Sequence, residues 1–349
     1  MYVKTKLLLP ALFLILVFFL TLGAFSFAQT PQPVNYDVTV SPVFFDLATI
    51  PGGVINEKVR VRNNTTKPMN IKIEVKKIQA DSNGEATLKN AVDDPTTEWF
   101  KFKDSAIVAP SEEWIDIPFT INVPKDAAFG YYFALSLTQV TNNNGTTTGA
   151  KLTGASAIPV LLNVKKEGAM AEGKVVDFKT DKGVYQYLPV NFVVKVADTG
   201  NVHIKPVGNI FIRGAKDKDL AILDVNQNSG NVLPGTNRTF TASWDDGFIT
   251  REPVIEYGEP KMKDGKPVTK LTINWDKLTD FRIGKYTANL LLVFDNGTRD
   301  VTLESVATFW VIPYMAIGVI LGGFVIIFLI LRFILKSYVQ REIRRQKNS

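Results

Sequence analysis

Three observations predict an all-β chain with an apolar segment at either end. Between Asn35 and Thr308 apolar and polar residues alternate at a period of two, the mark of strands with one face buried. Turn signals rich in Pro, Gly and Asn separate these runs, and no sustained helical period occurs among them. Each end holds a long uncharged apolar stretch of a different kind.

The first element is the leader, MYVKTKLLLPALFLILVFFLTLGAFSFAQT. Residues 1–28 read as a signal peptide: Lys4 and Lys6 precede the apolar run Leu7 to Phe27, and Ser26 and Ala28 stand where signal peptidase reads, with cleavage before Gln29. The run is long for a signal core, so an uncleaved anchor helix is the second reading. Under both, a short linker (29–34) leads into an exported segment.

Residues 35–165 form the first predicted sandwich. In MNIKIEVKKI, Ile71, Ile73 and Val75 alternate with Lys72, Glu74 and Lys76; WIDIPFTINV and YYFALSL repeat the pattern. The small, flexible stretch around 166–172 joins it to a second sandwich, 173–308, where VNFVVKVA alternates through Val190, Phe192, Val194 and Val196. Asn296-Gly297, between LLLVF and VTLESV, is the clearest hairpin turn because both residues tolerate positive φ. The charged, turn-rich segment 250–270 reads as a loop or hairpin inserted in this unit. Short alternating strands at regular spacing, about a hundred residues per unit, are the pattern of immunoglobulin-like sandwiches, so two in tandem are predicted.

From Phe309 to Leu331 no charge occurs, and about 23 residues at a rise of ~1.5 Å span roughly 34 Å, enough for the hydrocarbon core of a bilayer. Residues 309–331 are therefore predicted to cross a membrane. Trp310 and Tyr314 stand where an outer aromatic belt falls, while Arg332 and Lys336 open a basic tail, 332–349, placed in the cytoplasm by the positive-inside rule.

Composition bounds the function. The chain has 349 residues, 46% of them hydrophobic and 11% aromatic, enough for two cores. The pI near 9.2 misleads if taken whole. The tail holds a net charge of +5 and the leader +2 of the overall +6, which leaves −1 on residues 29–331. No basic tract with interleaved aromatics supports nucleic-acid binding, so no nucleic acid partner is expected. Zero cysteine excludes disulfides, thiol catalysis and thiolate metal sites.

Chemistry is sparse. His203, the single histidine, has no Gly-x-Ser-x-Gly elbow to serve and cannot build a multi-histidine zinc site; within GNVHIKPVGNIFIRG it reads as a structural or surface residue near a strand end. In DVNQNSG, Asp224, Asn226 and Asn228 alternate oxygens as a calcium loop does, but the glycine comes one place late and the twelfth position is Gly235 rather than Glu. A polar turn is the reading. The acidic neighbours Asp93-Asp94, Glu112-Glu113 and Asp245-Asp246 offer carboxylates for glycoside hydrolysis, although neighbours on a strand point to opposite faces. No catalytic residue, cofactor or metal is assigned. The candidate partner contacts are aromatic: Trp99, Phe100 and Phe102 in EWFKF and Trp114 in EEWIDI, which occupy both strand parities and so place some rings outward for stacking or anchoring.

The stretches SPVFFDLATIPGGVINEKVRVRNNTTKPMNIKIEV and INWDKLTDFRIGKYTANLLLVFDNG, in this order and before one membrane helix and a basic tail, resemble the bacterial WxL-interacting surface proteins. The resemblance in architecture covers nearly the whole chain, with two departures: no charged spacer precedes the helix, and the insertion around Gly258 to Gly265 is unfamiliar. It implies a wall-binding immunoglobulin-like domain that contacts peptidoglycan, and a second such domain that takes a protein ligand. The expected function is a non-enzymatic, membrane-anchored cell-surface binding or adhesion protein contacting cell-wall glycan, surface proteins or both. The alternatives are an extracytoplasmic glycan hydrolase and an envelope assembly or sensor subunit acting through a membrane partner.

Overall fold

The computed structural model describes residues 36–81, 84–89, 94–140, 154–215 and 218–347. The predicted signal peptide, with Ser26 and Ala28, and the linker 29–34 lie outside the described residues. What is described is mostly β-strand, closed by one apolar C-terminal helix.

Ten strands come first: Val38–Ser41 (β1), Phe45–Thr49 (β2), Val54–Asn63 (β3), Met69–Ala80 (β4), Ala86–Lys89 (β5), Phe100–Phe102 (β6), Ala106–Ala109 (β7), Trp114–Asn122 (β8), Phe129–Gln139 (β9) and Ala155–Val164 (β10). They form two sheets, one ordered β1-β3-β8-β6 and the other β2-β10-β9-β4, with β5 and β7 both pairing on the outer side of β4. The inward residues of the two sheets meet in one core: Val59, Ile117, Phe119 and Ile121 from the first face Ile71, Phe133, Leu135 and Leu162 from the second. Phe119 is the hinge of this packing, edge-on to Phe45 at 5.4 Å and stacked on Phe100 at 6.1 Å.

The next strands are Gly173–Thr180 (β11), Val184–Tyr185 (β12), Val190–Asp198 (β13), Val207–Arg213 (β14), Asp219–Val225 (β15) and Asn237–Trp244 (β16). A ribbon follows, Ile249–Pro253 (β17) against Thr269–Ile273 (β22). Between these lie two minimal hairpins, Ile255–Glu256 (β18) with Glu259–Pro260 (β19) and Met262–Lys263 (β20) with Lys266–Pro267 (β21). Gly284–Asp295 (β23) and Asp300–Val311 (β24) complete the set. The sheets β11-β13-β16 and β12-β24-β23-β14-β15 enclose a second core around Trp244, Phe192, Phe309 and Tyr286. Trp244 is fully buried, 5.2 Å from the Tyr286 ring and 6.1 Å from Phe309.

Alternation holds where one sheet face is wet. β4 buries Met69, Ile71, Ile73 and Val75 and turns Asn70 and Lys72 to water; β13 buries Val190, Phe192, Val194 and Val196. β9 departs from it, because Phe133 to Leu137 are all buried. The two residues of the outer parity, Ala134 and Ser136, are small, and the strand is central: Ala134 lies between Pro159 and Lys76, and Ser136 between Ala157 and Glu74, so strands cover it on both sides.

The β23–β24 hairpin forms as predicted at Asn296-Gly297. Gly297 has φ 90°, and the Asn296 carboxamide oxygen accepts the N–H groups of Thr298 and Arg299. The charged segment 250–270 lies in the ribbon of β17 and β22, with Gly258 and Gly265 at positive φ in its two exposed tips.

The predicted membrane span requires correction. Phe309 and Val311 are each 1% exposed in the second core, as the last residues of β24, so residues 309–311 are strand. After Ile312 and Pro313 the helix α1 runs Tyr314–Lys347, and its stretch Ile317–Val339 is long and apolar enough to cross a membrane. Pro313 fits this boundary, since it cannot continue the ladder and suits a helix start. Arg332 and Lys336 lie within α1, as do the backbone positions of the basic tail up to Lys347.

Candidate binding surfaces

The connection from β10 to β11 is short and, though flexible by composition, is tied down. Asn201, in the turn after β13, donates its side-chain amide to Gly168 O and accepts Met170 N–H at its own carboxamide oxygen. Its backbone N–H reaches Met170 O, and its carbonyl accepts Gly130 N–H from β9. Gly200 permits this approach, because a Cβ there would sit 2.1 Å from Met170 O. At a second contact a Cβ on Gly84 would lie 2.1 Å from Asn237 O, at the start of β16.

His203 stands in this seam. Its side chain is 8% exposed, its backbone N–H donates to the Tyr132 hydroxyl at 2.9 Å, and its Nε2 lies 3.2 Å from Asp46 Oδ1 in β2. With the ring proton on Nε2 the imidazole donates to Asp46 and faces the Tyr132 hydroxyl, 3.5 Å away, with Nδ1. Lys205 Nζ reaches the other Asp46 oxygen at 2.9 Å. The His203 hydrogen bond, and after it Lys205, hold the Asp46 carboxyl at about 2 against the opposing effect of its burial. Burial raises the Tyr132 phenol. His203 is therefore an interior bridge across the seam between the two pairs of sheets rather than a surface residue.

Asp198, at the end of β13 and 2% exposed, is the buried acid of this region. One oxygen accepts Gly200 N–H at 2.8 Å while the other has no hydrogen-bond partner, and burial pushes its carboxyl up to about 7. Beside the seam lies an open cleft of about 680 Å³, lined among others by Asp46, Lys166, His203, Lys205 and Asn296. Its mixed charges and open shape make it a polar groove.

The four predicted contact aromatics separate. Phe100 is 6% exposed and packs at 5.0 Å on Phe133; Trp99 lies edge-on to Tyr131 at 4.6 Å; Phe102 leans on Phe119 at 5.7 Å. These three belong to or border the first core: as candidate partner contacts Phe100 is buried, and Trp99 and Phe102 lie at the core's edge. The cause is local: Pro95–Trp99 is a 3-10 turn, capped by Asp94, so strand parity does not hold through EWFKF. Trp114, first residue of β8, is 40% exposed, with the Arg60 guanidinium 4.9 Å from its ring centre.

Two of the acidic neighbours, Asp94 and Asp246, have structural partners. Asp94 caps its turn through Thr96 and pairs with Lys77; Asp246 pairs with Lys277; Glu112 is a positive-φ turn residue; Asp93 lies outside the described residues. In DVNQNSG the Asn226 side chain closes its own loop, donating to Pro206 O and Gly230 O and accepting Gly230 N–H, while Asp224 binds Asn209 and Gln227. Those oxygens are used by a polar turn. Among the described residues no three acidic or histidine side chains converge in a way that would hold a metal ion. The seam pairing of Asp46 with His203 was invisible to local sequence reading, because 157 positions separate them; the one available signal was a single histidine in a turn.

A second surface was also missed. Trp275, Leu278, Phe281 and Ile283, in the segment leading into β23, are respectively 71, 59, 50 and 48% exposed. The Phe248 ring lies 5.6 Å from Trp275 and 5.9 Å from Phe281.

No family model and no curated protein matches the chain. Among solved structures, the class 5 fimbriae chaperone CfaA is 13% identical over 77% of this chain and 99% of its own, with a TM-score of 0.38. The YadV chaperone is 8% identical over 78% and 100%, TM-score 0.35, and the E. coli chaperone DraB 9% over 77% and 96%, TM-score 0.33. All three TM-scores stay below 0.5, a loose likeness between strand-rich chains.

Proposed function

We propose that the chain is a single-pass membrane protein whose two immunoglobulin-like domains, 35–165 and 173–308 with the last strand carried on to Val311, form a non-enzymatic binding module outside the cell. The observation that carries this reading is the passage from β24 to α1 through Ile312 and Pro313 alone, which fixes the second sandwich directly on an apolar helix with basic residues toward its far end. The positive-inside rule then orients the strands outward and the basic end of the helix, from Arg332 on, toward the cytoplasm. Asp94, Asp246 and Asn226, the side chains that could have served a hydrolase or a cation, are committed to local structure.

The resemblance to WxL-interacting surface proteins supports peptidoglycan as the ligand of the first domain and a surface protein as that of the second. Trp114 is the side chain of choice for a sugar: its ring is partly open, and Arg60, Lys58 and Asp116 beside it supply hydrogen-bonding groups. Retention of the detergent-solubilised full chain on purified peptidoglycan is the test, with Trp114→Ala expected to lower retention about tenfold while leaving the unfolding midpoint in place. Retention no greater than that of an unrelated membrane-anchored sandwich protein would remove the glycan part of the proposal.

A further inference from the structure

The long β23–β24 hairpin has two ends of different character. Gly284 pairs with Val311 at one, three residues before the helix begins at Tyr314, and Asp295 pairs with Asp300 at the other. Eleven steps at ~3.3 Å place these ends roughly 36 Å apart. Ile283 immediately precedes Gly284, so the exposed apolar segment Trp275 to Ile283 belongs to the helix end.

Two clefts confirm that side chains gather there. Phe248, Phe281 and Arg282 share one with Val311 and Pro313, and Arg251 and Thr269 share the other with Tyr314. Within the segment itself both cations are matched, Lys277 with Asp246 and Arg282 with Asp280, while Arg251 and Lys182 line the neighbouring cleft. The patch is thus apolar and aromatic without a free basic cluster of its own, the composition that favours the bilayer interface through burial rather than through attraction to anionic lipid.

Resting on the single-pass reading above, we infer that Trp275, Leu278, Phe281 and Ile283 dip into the outer lipid interface beside the helix, making with Trp310 and Tyr314 a second membrane contact that holds the second sandwich at a fixed tilt. A helix alone leaves a domain free to lean about Pro313; a second contact several residues away in space removes that freedom.

The natural chain has no cysteine, so single-cysteine variants of the full protein take one nitroxide label each without competition. In zwitterionic nanodiscs, labels at Leu278→Cys and Ile283→Cys are compared with Thr298→Cys at the far turn and Phe324→Cys within α1, using oxygen and a water-soluble nickel chelate as relaxing agents. The expected result is about tenfold lower access of nickel to Leu278→Cys and Ile283→Cys than to Thr298→Cys, with oxygen access raised toward that at Phe324→Cys. The same values in nanodiscs with anionic lipid are expected. Nickel access equal to that at Thr298→Cys, or shielding from both agents as by a protein neighbour, overturns the inference while Phe324→Cys still reports lipid. A water-exposed Phe324→Cys would instead defeat the single-pass reading itself. Both test positions are exposed, so neither substitution removes a core side chain.

Discussion

Phe100 and Trp114 are aromatic residues of one sheet with opposite work. Phe100 fills space between Phe119 and Phe133, so Phe100→Ala is expected to cost about 3–5 kcal/mol in denaturant unfolding, whereas Trp114→Ala, at a half-open site, should cost no more than ~1 kcal/mol. EWFKF hid this difference because a 3-10 turn interrupts the parity on which the outward reading depended, and only the Pro95 at its start hinted at the break. Asp198 makes a pH prediction. Its folded carboxyl titrates at about 7 against an ordinary value near 3.8, so the native state holds a proton there that the unfolded chain has lost in between. Stability attributable to it is full below about pH 4, declines as pH rises through 7 and then levels. Asp198→Asn, which keeps an acceptor for Gly200 N–H and carries no charge, should flatten the fall in Tm between pH 5 and 8, as read by circular dichroism; an unchanged slope would show that the carboxyl is not the group responsible.

Strands were legible where alternation is long and regular, as in β4 and β13, and the Asn296-Gly297 hairpin was legible from turn chemistry. The end of β24 was not, because hydropathy registers burial without distinguishing a protein core from lipid: Phe309 and Val311 are as apolar as the helix that follows and are buried against Trp244 and Tyr185 rather than in a bilayer. Pro313 is the mark that separates them. The charged, glycine-containing segment 250–270 carries most of the ribbon β17–β22, and its β18 to β21 tips are exposed throughout. Replacing residues 254–268 by an Asn-Gly turn should therefore leave the unfolding midpoint within a few degrees of wild type; a large loss would mean that the tips support the second core.

Across the molecule, the seam is what local sequence could not reveal, since its partners are drawn from β2, β9, the connection and the turn after β13. Asp46 is the centre of its polar part. Because His203 and Lys205 hold its carboxyl at about 2, its contribution is present above the ordinary value near 3.8 and is lost only as pH falls toward 2. Asp46→Ala removes the partner of both cations, so nitroxide pairs at Lys58→Cys and Lys285→Cys should show a broader distance distribution at neutral pH than in the parent background; an unaltered distribution would assign the orientation to the Asn201 hydrogen bonds instead. The passage from β24 into α1 has a mechanical consequence. On the single-pass proposal above, a pull on the strands reaches the helix through Val311, the last residue of β24, which lies in register with β23 over its whole length from Asp300 to Val311. A load applied along β24 would shear that ladder as a whole rather than unzip it bond by bond, so on this proposal the strand next to the helix is also the one best placed to bear load.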